Sequence, residues 1–93
     1  MNIRDVIYQV IDGEREYQDQ KWCSNSTSSS GVHSNLEFLV YMRDYVEEAL
    51  HFCSRNGDPK ANDFAKDVIR KVTALGVAAM EQNGIAPRKR GCF

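Results

Sequence analysis

Nine consecutive residues bring together the side-chain chemistry that a site for a polar, planar ligand would need. On a helix with about 100° per residue, Glu14, Gln18 and Lys21 share one face. Arg15, Gln18 and Trp22 share an adjoining face. A guanidinium can hold a phosphate with two hydrogen bonds, an amide can read the edge of a base, and an indole can stack on a ring. The spacing therefore predicts a nucleotide pocket at the end of a helix.

Plainer roles remain open for the same side chains. Arg15 can pair with Asp19 on a solvated helix face, and Trp22 can cover the end of a helical bundle. His33 follows a polar loop, where it can anchor the loop, contact a ligand or form half a metal site with Glu37. The candidate ligand-binding residues are Glu14, Arg15, Gln18, Lys21, Trp22 and His33.

A second group of candidate residues is acidic. If the later helices are antiparallel, Asp44 or Glu48 would face Asp63 or Asp67 in a groove whose oxygen atoms suit Mg²⁺. Such an ion would polarise a triphosphate and activate water. Pairing of these acids across the helices with the interleaved Lys66, Arg70 and Lys71, as between Glu47 and Lys66, is the ordinary alternative. The fallback metal ligands of an enzyme would be Asp44, Glu47, Glu48, Asp63 and Asp67.

Hydrophobic periodicity places these residues on helices, and no segment alternates with the period of a strand. The first helix carries an apolar stripe from Ile3 to Ile11, and α-helical spacing continues to Tyr17. The second predicted helix has one apolar stripe through Leu39, Val46 and Leu50, and a separate aromatic face. The sequence predicts one helical domain over residues 1–93: a helix at about 3–21, a polar loop at 22–33, helices at about 35–55 and 59–83, and a basic tail at 85–93.

Capping residues indicate where these helices begin and end. Asn2 can cap the first helix, and Ser34 with Glu37 fits a capping box. Gly57 suits the end of the second helix, and Asp58 followed by proline restarts the chain as a third. Small residues near position 76 let a neighbouring helix approach closely. We therefore expect an all-α, three-helix antiparallel bundle that assembles into a homo-oligomer.

Composition excludes several classes of function. Twelve basic residues stand against thirteen acidic ones, a net charge of −1, and removal of Arg88, Lys89 and Arg90 leaves nine against thirteen, or −4. A body of that sign disfavours general nucleic-acid binding. No apolar run approaches the roughly 18 residues of a membrane span, and no signal peptide is evident, so we expect no membrane association and a cytoplasmic protein. Three widely spaced cysteines predict reduced thiols.

A resemblance to a known group adds to this interpretation. The order Glu14-Arg15-x-x-Gln18-Asp19-x-Lys21-Trp22, then His33, then Glu47-Glu48-Ala49-Leu50 and a final helix from Ile69 to Gly84, resembles small phage proteins. These are similar to the MazG-like all-α nucleotide pyrophosphatases. The resemblance implies a helical fold, a nucleotide ligand and the cytoplasm of an infected bacterial host. In that group, Mg²⁺ bound by E-x-x-E and E-x-x-D helices cleaves nucleoside triphosphates.

The chain departs from those metal motifs. Asp44-Tyr45-Val46-Glu47 replaces the first motif, Asp67 comes one place late for the second, and Val68 stands where an acid is expected. These departures favour a protein that binds and sequesters a nucleotide-type molecule, without a cofactor, to counter nucleotide-based host immunity. A Mg²⁺-dependent pyrophosphatase is the first alternative. The second is an interaction module or host-enzyme inhibitor that docks through its aromatic face: Phe38, Tyr41, Tyr45 and Phe52.

Overall fold

Three helices make up the computed structural model: α1 (Ile3–Asn25), α2 (Asn35–Arg55) and α3 (Pro59–Asn83). It describes residues 2–25, 32–55 and 59–88, except for the side chains of residues 22–25, 54, 55 and 59. These ranges contain no strand, and α3 packs against both α1 and α2. The predicted all-α three-helix bundle is therefore confirmed, with α3 at its centre. Within the same ranges, no helix combines the length and apolar content of a membrane span.

Local hydrogen bonds fix the helix boundaries at the predicted caps. The Asn2 side chain accepts a bond from the Asp5 amide at 2.9 Å. Ser34 Oγ accepts from the Glu37 amide at 3.2 Å, while the Ser34 amide donates to Glu37 Oε1 at 3.0 Å. Gly84 ends α3 at a φ of 81°, and its amide donates to the carbonyl of Met80 at 2.9 Å. The capping box is thus confirmed, while the predicted caps Gly57 and Asp58 lie outside the described residues.

The first helix is longer than its sequence suggested. It was predicted to end near residue 21, but α1 continues to Asn25, so residues 22–25 of the predicted polar loop are helical. The segment 22–25 contains neither glycine nor proline, so nothing in it breaks the ladder of backbone hydrogen bonds. Polar composition alone was therefore a poor guide to the helix end. Only the beginning of the predicted basic tail, residues 85–88, is described, and it is exposed.

A small apolar core lies between α2 and α3. Phe38 is only 1% exposed and clusters with Leu75 and Ala78, and partly buried Met42 and Tyr45 pack against this cluster. Ala74 and Ala78 are fully buried, as expected if small side chains let neighbouring helices approach α3. The core is consequently built around one aromatic ring and several methyl groups.

The aromatic face and the apolar stripe predicted for α2 differ from expectation in which side chains are buried. Phe38 was assigned to an aromatic docking face, but its burial removes it from any such surface, and Phe52 packs on Phe64 at a ring distance of 4.8 Å. The stripe through Leu39, Val46 and Leu50 is exposed instead, and so are Ile3, Val6, Ile7 and Val10 on α1. Periodicity identified apolar stripes correctly, but it could not say which of them the same chain would cover.

We predict that Phe38→Ala lowers the free energy of unfolding by about 3–5 kcal/mol, because it removes the largest fully buried side chain and leaves a cavity. Urea unfolding followed by circular dichroism measures this loss. Val32→Ala is the control, since Val32 is exposed and its truncation should change stability by less than about 0.5 kcal/mol. Equal effects of the two substitutions would contradict the position of the core.

Candidate functional site

Arg15 and Gln18 are the buried polar side chains on α1, and they join this helix to α3. Arg15 is 8% exposed and Gln18 is 5% exposed. Arg15 Nε donates to Glu81 Oε1 at 2.6 Å, and Arg15 Nη2 donates to Asp19 Oδ1 at 2.9 Å. Arg15 Nη1 lies 3.3 Å from Gln18 Oε1, while Gln18 Nε2 donates to the carbonyl of Lys71 at 3.3 Å. We call this network, Arg15, Gln18, Asp19 and Glu81, the arginine clamp.

Electrostatics keeps the buried guanidinium charged. Burial lowers the pKa of Arg15, but hydrogen bonds to Glu81 and Asp19 outweigh it and hold the pKa above its ordinary value. A second ion pair joins the same two helices, because Arg70 Nε donates to Glu14 Oε1 at 2.9 Å and this bond raises the pKa of Arg70. The guanidinium of Arg15 therefore binds carboxylates of its own chain in this structure. A direct role for Arg15 in ligand binding stays a prediction.

A cleft opens beside the clamp, where side chains of all three helices meet. A cavity of about 40 Å³ is lined by Glu14, Tyr17, Gln18, Lys21, Tyr45, Lys71 and Leu75. An adjoining cavity of about 220 Å³ shares Tyr45 and Leu75 and is also lined by His33 and Tyr41. We call these two neighbouring spaces together the tyrosine cleft. Its walls combine aromatic rings with two ammonium groups, which is the chemistry of a site for an anion that carries a ring.

Lys71 is held at the wall of this cleft. Its ammonium nitrogen lies 4.8 Å from the centroid of the Tyr45 ring, within the range of a cation–π interaction. Its carbonyl accepts the hydrogen bond from Gln18, so the clamp fixes the backbone from which this side chain extends. The clamp and the wall of the cleft therefore meet at Lys71.

His33 is anchored by the far end of α3. The His33 amide donates to Gln82 Oε1 at 2.8 Å, and Asn83 Nδ2 donates to the His33 carbonyl at 3.1 Å. Its ring meets Phe38 and Tyr41 edge to face, at centroid distances of 5.7 and 5.3 Å. His33 is thus held against α3, and it also lines the cleft.

The structure brings together four of the six candidate ligand-binding residues. Glu14, Gln18 and Lys21 line the cleft with His33. Arg15 lies in the clamp, and the side chain of Trp22 is outside the described residues. Sequence reasoning missed Lys71 as a site residue and assigned Tyr41 and Tyr45 to a docking face. Their i, i+4 spacing on α2 was visible, but no sequence signal placed α1 across from them.

The acidic residues considered as metal ligands do not form the expected cluster. Asp44 lies 3.4 Å from Arg43, and Asp67 pairs with Arg70 at 3.0 Å. Glu47, Glu48 and Asp63 are exposed. Among the residues that the structure describes, no group of three or more histidine, cysteine and acidic side chains could hold a metal ion. Asp44 and Asp67 thus pair with arginines of their own helices, whereas the alternative considered from the sequence was pairing across helices with Lys66, Arg70 and Lys71.

Comparison of this chain with protein-family models, with curated protein sequences and with solved structures finds no match. The resemblance to MazG-like proteins therefore stays a prediction that depends on the motifs quoted above.

We predict that Glu81→Ala lowers the free energy of unfolding by about 2 kcal/mol, because it removes a charged hydrogen-bond partner from a buried guanidinium. Chemical denaturation at neutral pH measures the change. Asp44→Ala is the matched control, since it removes a carboxylate whose pair with Arg43 is exposed on both sides and should cost less than about 1 kcal/mol. The clamp would have no structural role if both variants were equally stable.

Acid should weaken the capping box of α2. The backbone hydrogen bond from Ser34, followed by the bond to His33, holds the pKa of Glu37 below its ordinary value of 4.5. Its carboxylate therefore stabilises the fold above pH 4.5, and this contribution is lost as the pH falls through the lowered pKa of the folded state. Melting temperatures of the wild type and Glu37→Gln, measured from neutral pH downward, should converge in acid. A constant difference between them would exclude this titration.

Proposed function

We propose that this chain binds a small nucleotide-type anion in the tyrosine cleft and retains it without turnover. One observation carries the proposal: four candidate residues from two separate parts of the sequence line the same cleft, together with three tyrosines and Lys71. Side chains of α1 and His33 are thus close to one another although they are at least twelve residues apart in sequence, and this supports a common role. The proposed ligand class follows from the chemistry of the cleft walls.

The larger cavity suits the ring of the ligand. Tyr41, Tyr45 and His33 supply flat surfaces, and Leu75 supplies an apolar base. Aromatic side chains stack on bases at about 1–3 kcal/mol per base, with little dependence on which base is present. We expect the ring to lie there, among side chains that the core already holds in place.

The smaller cavity suits the charged part of the ligand. Lys21 and Lys71 border it from different helices, so two ammonium groups can approach one phosphate group. Gln18 lies between them and can offer its amide as a further polar contact. The ring and the phosphate would then occupy adjoining spaces that meet at Tyr45.

Retention rather than cleavage is the proposed outcome for two reasons. The acids nearest to the pyrophosphatase pattern, Asp44 and Asp67, pair with arginines. The cleft itself is lined by aromatic rings, two lysines and one carboxylate, that of Glu14, which is paired with Arg70. Sequestration needs affinity, which preformed contacts provide, and it needs no transition-state contacts. The resemblance to small phage proteins supports a use in removing a nucleotide signal of host defence.

The first experiment incubates the purified chain with nucleoside triphosphates, cyclic dinucleotides and ADP-ribose in the presence of Mg²⁺. The protein is then separated from free ligand and heat-denatured, and the released compound is analysed by chromatography. Recovery of an unchanged compound supports the proposal. Release of a monophosphate and pyrophosphate would favour the enzyme alternative, and recovery of no compound would overturn binding.

We predict that Lys71→Gln weakens binding of the retained compound by about 10- to 100-fold, since a charge-assisted hydrogen bond contributes about 1.5–3 kcal/mol. Titration calorimetry measures the dissociation constants. Lys66→Gln is the matched control, because it makes the same change on the same helix at an exposed position outside the cleft. Equal affinities of the two variants would place the ligand elsewhere.

A further inference from the structure

An apolar groove runs between α2 and α3 and is separate from the tyrosine cleft. It encloses about 300 Å³ and is lined by Val46, Ala49, Leu50, Cys53, Ala65, Val68, Ile69, Val72 and Thr73. Ala49 and Val68 are buried at its base, while Leu50 and Ile69 at its edges are 64% and 65% exposed. No residue of this groove lines the tyrosine cleft. The two surfaces can therefore be tested separately.

Further apolar residues extend the groove along both helices. Leu39 lies seven residues before Val46 on α2, and Met80 lies eleven residues after Ile69 on α3; both are exposed. These spacings keep the residues on one side of their helices. The result is a long apolar face on α2 and α3 that runs along the bundle axis. It is formed by Leu39, Val46, Leu50, Ile69 and Met80.

The size of the molecule indicates that this face is made for burial. The chain exposes 7482 Å², whereas a compact monomer of 10.6 kDa exposes about 5,500 Å². Its radius of gyration is 15.3 Å, against about 12 Å for a compact domain of 93 residues. The excess of about 2,000 Å² belongs to the whole chain, and it exceeds the roughly 800 Å² that each partner loses in an interface of standard size.

The remaining residues of this sequence offer little to cover the face. Outside the described ranges lie residue 1 and segments 26–31, 56–58 and 89–93, and their apolar members are Met1, Cys92 and Phe93. By contrast, sixteen large apolar side chains are exposed among the described residues. The apolar face is therefore open to contact with another molecule.

We propose that this molecule is a second copy of the chain, and that two α2–α3 pairs pack through their apolar faces into a four-helix dimer with two-fold symmetry. A core this small gives the monomer little stability of its own, and a second copy is present wherever the chain is made. The face is also complementary to itself, because it has projecting side chains at Leu50 and Ile69 beside a groove. A net charge of −1 gives little repulsion between copies.

Light scattering coupled to size-exclusion chromatography tests the proposal on the complete chain. The expected mass is twice 10.6 kDa. The melting temperature should also rise with protein concentration, since association stabilises only the folded chain. A mass of 10.6 kDa, together with a melting temperature that is independent of protein concentration, would overturn the proposal. That result would leave a different protein as the partner of the face.

Leu50→Glu locates the interface. Symmetry introduces the charge twice, so the dimer dissociation constant should rise by about 100-fold or more, while the exposed position of Leu50 leaves the folded monomer intact by circular dichroism. Ile85→Glu is the matched control: Ile85 is 73% exposed beyond the end of α3 and lies off the face, so this variant should remain dimeric. If Leu50→Glu unfolds, two other measurements decide whether the face forms the interface. They are the dependence of the wild-type melting temperature on protein concentration and the oligomeric state of Ile69→Lys. An undiminished dimer in a folded Leu50→Glu would overturn the assigned face.

Discussion

The buried guanidinium of Arg15 is the interaction on which the placement of α1 against α3 depends. Where most surface helices attach through an apolar stripe, the buried side chains of α1 are Arg15 and Gln18, and the apolar stripe that begins at Ile3 is exposed. Apolar contacts tolerate sliding, whereas hydrogen bonds from a planar guanidinium fix both distance and direction. A buried charge without partners would be costly, so α1 is held at the one position that satisfies it. That position brings Lys21 and Tyr17 to the cleft.

The small residues of α3 explain why the molecule has a small core and a large apolar surface. Ala74 and Ala78 allow close approach to α3, but each contributes only one methyl group to the interior. The larger side chains of α2 and α3, such as Leu50 and Ile69, are directed to the groove instead. Close helix packing inside the subunit and apolar exposure outside it are thus two consequences of one sequence pattern. A partner would convert the exposed face into the missing part of the core.

Sequence reasoning was accurate for features that depend on neighbouring residues. Caps such as Ser34 with Glu37 act within one helical turn, so their effect on the boundaries of α2 could be predicted. The burial of Arg15 against α3 could not be predicted, because its partner Glu81 lies 66 residues away in the sequence. In addition, an Arg–Gln pair has the same sequence spacing in a ligand site and in a contact between helices. Phe38 and Leu39 illustrate the same limit. Periodicity shows which residues share a face, but long-range packing decides which face is covered.

The clamp and the cleft are linked through Gln18, and this link gives Arg15 a positioning role in the proposed function. Gln18 accepts from Arg15 and donates to the carbonyl of Lys71, whose ammonium group lies over Tyr45. A ligand that drew the guanidinium away from Glu81 would lose a 2.6 Å ion pair and loosen α1, so direct capture by Arg15 would oppose the fold. A positioning role, in which Arg15 holds Gln18 against the carbonyl of Lys71, leaves the ion pair with Glu81 in place. The cleft can present its lysine and tyrosine in fixed positions before the ligand arrives, and this preorganisation favours tight retention of a small molecule.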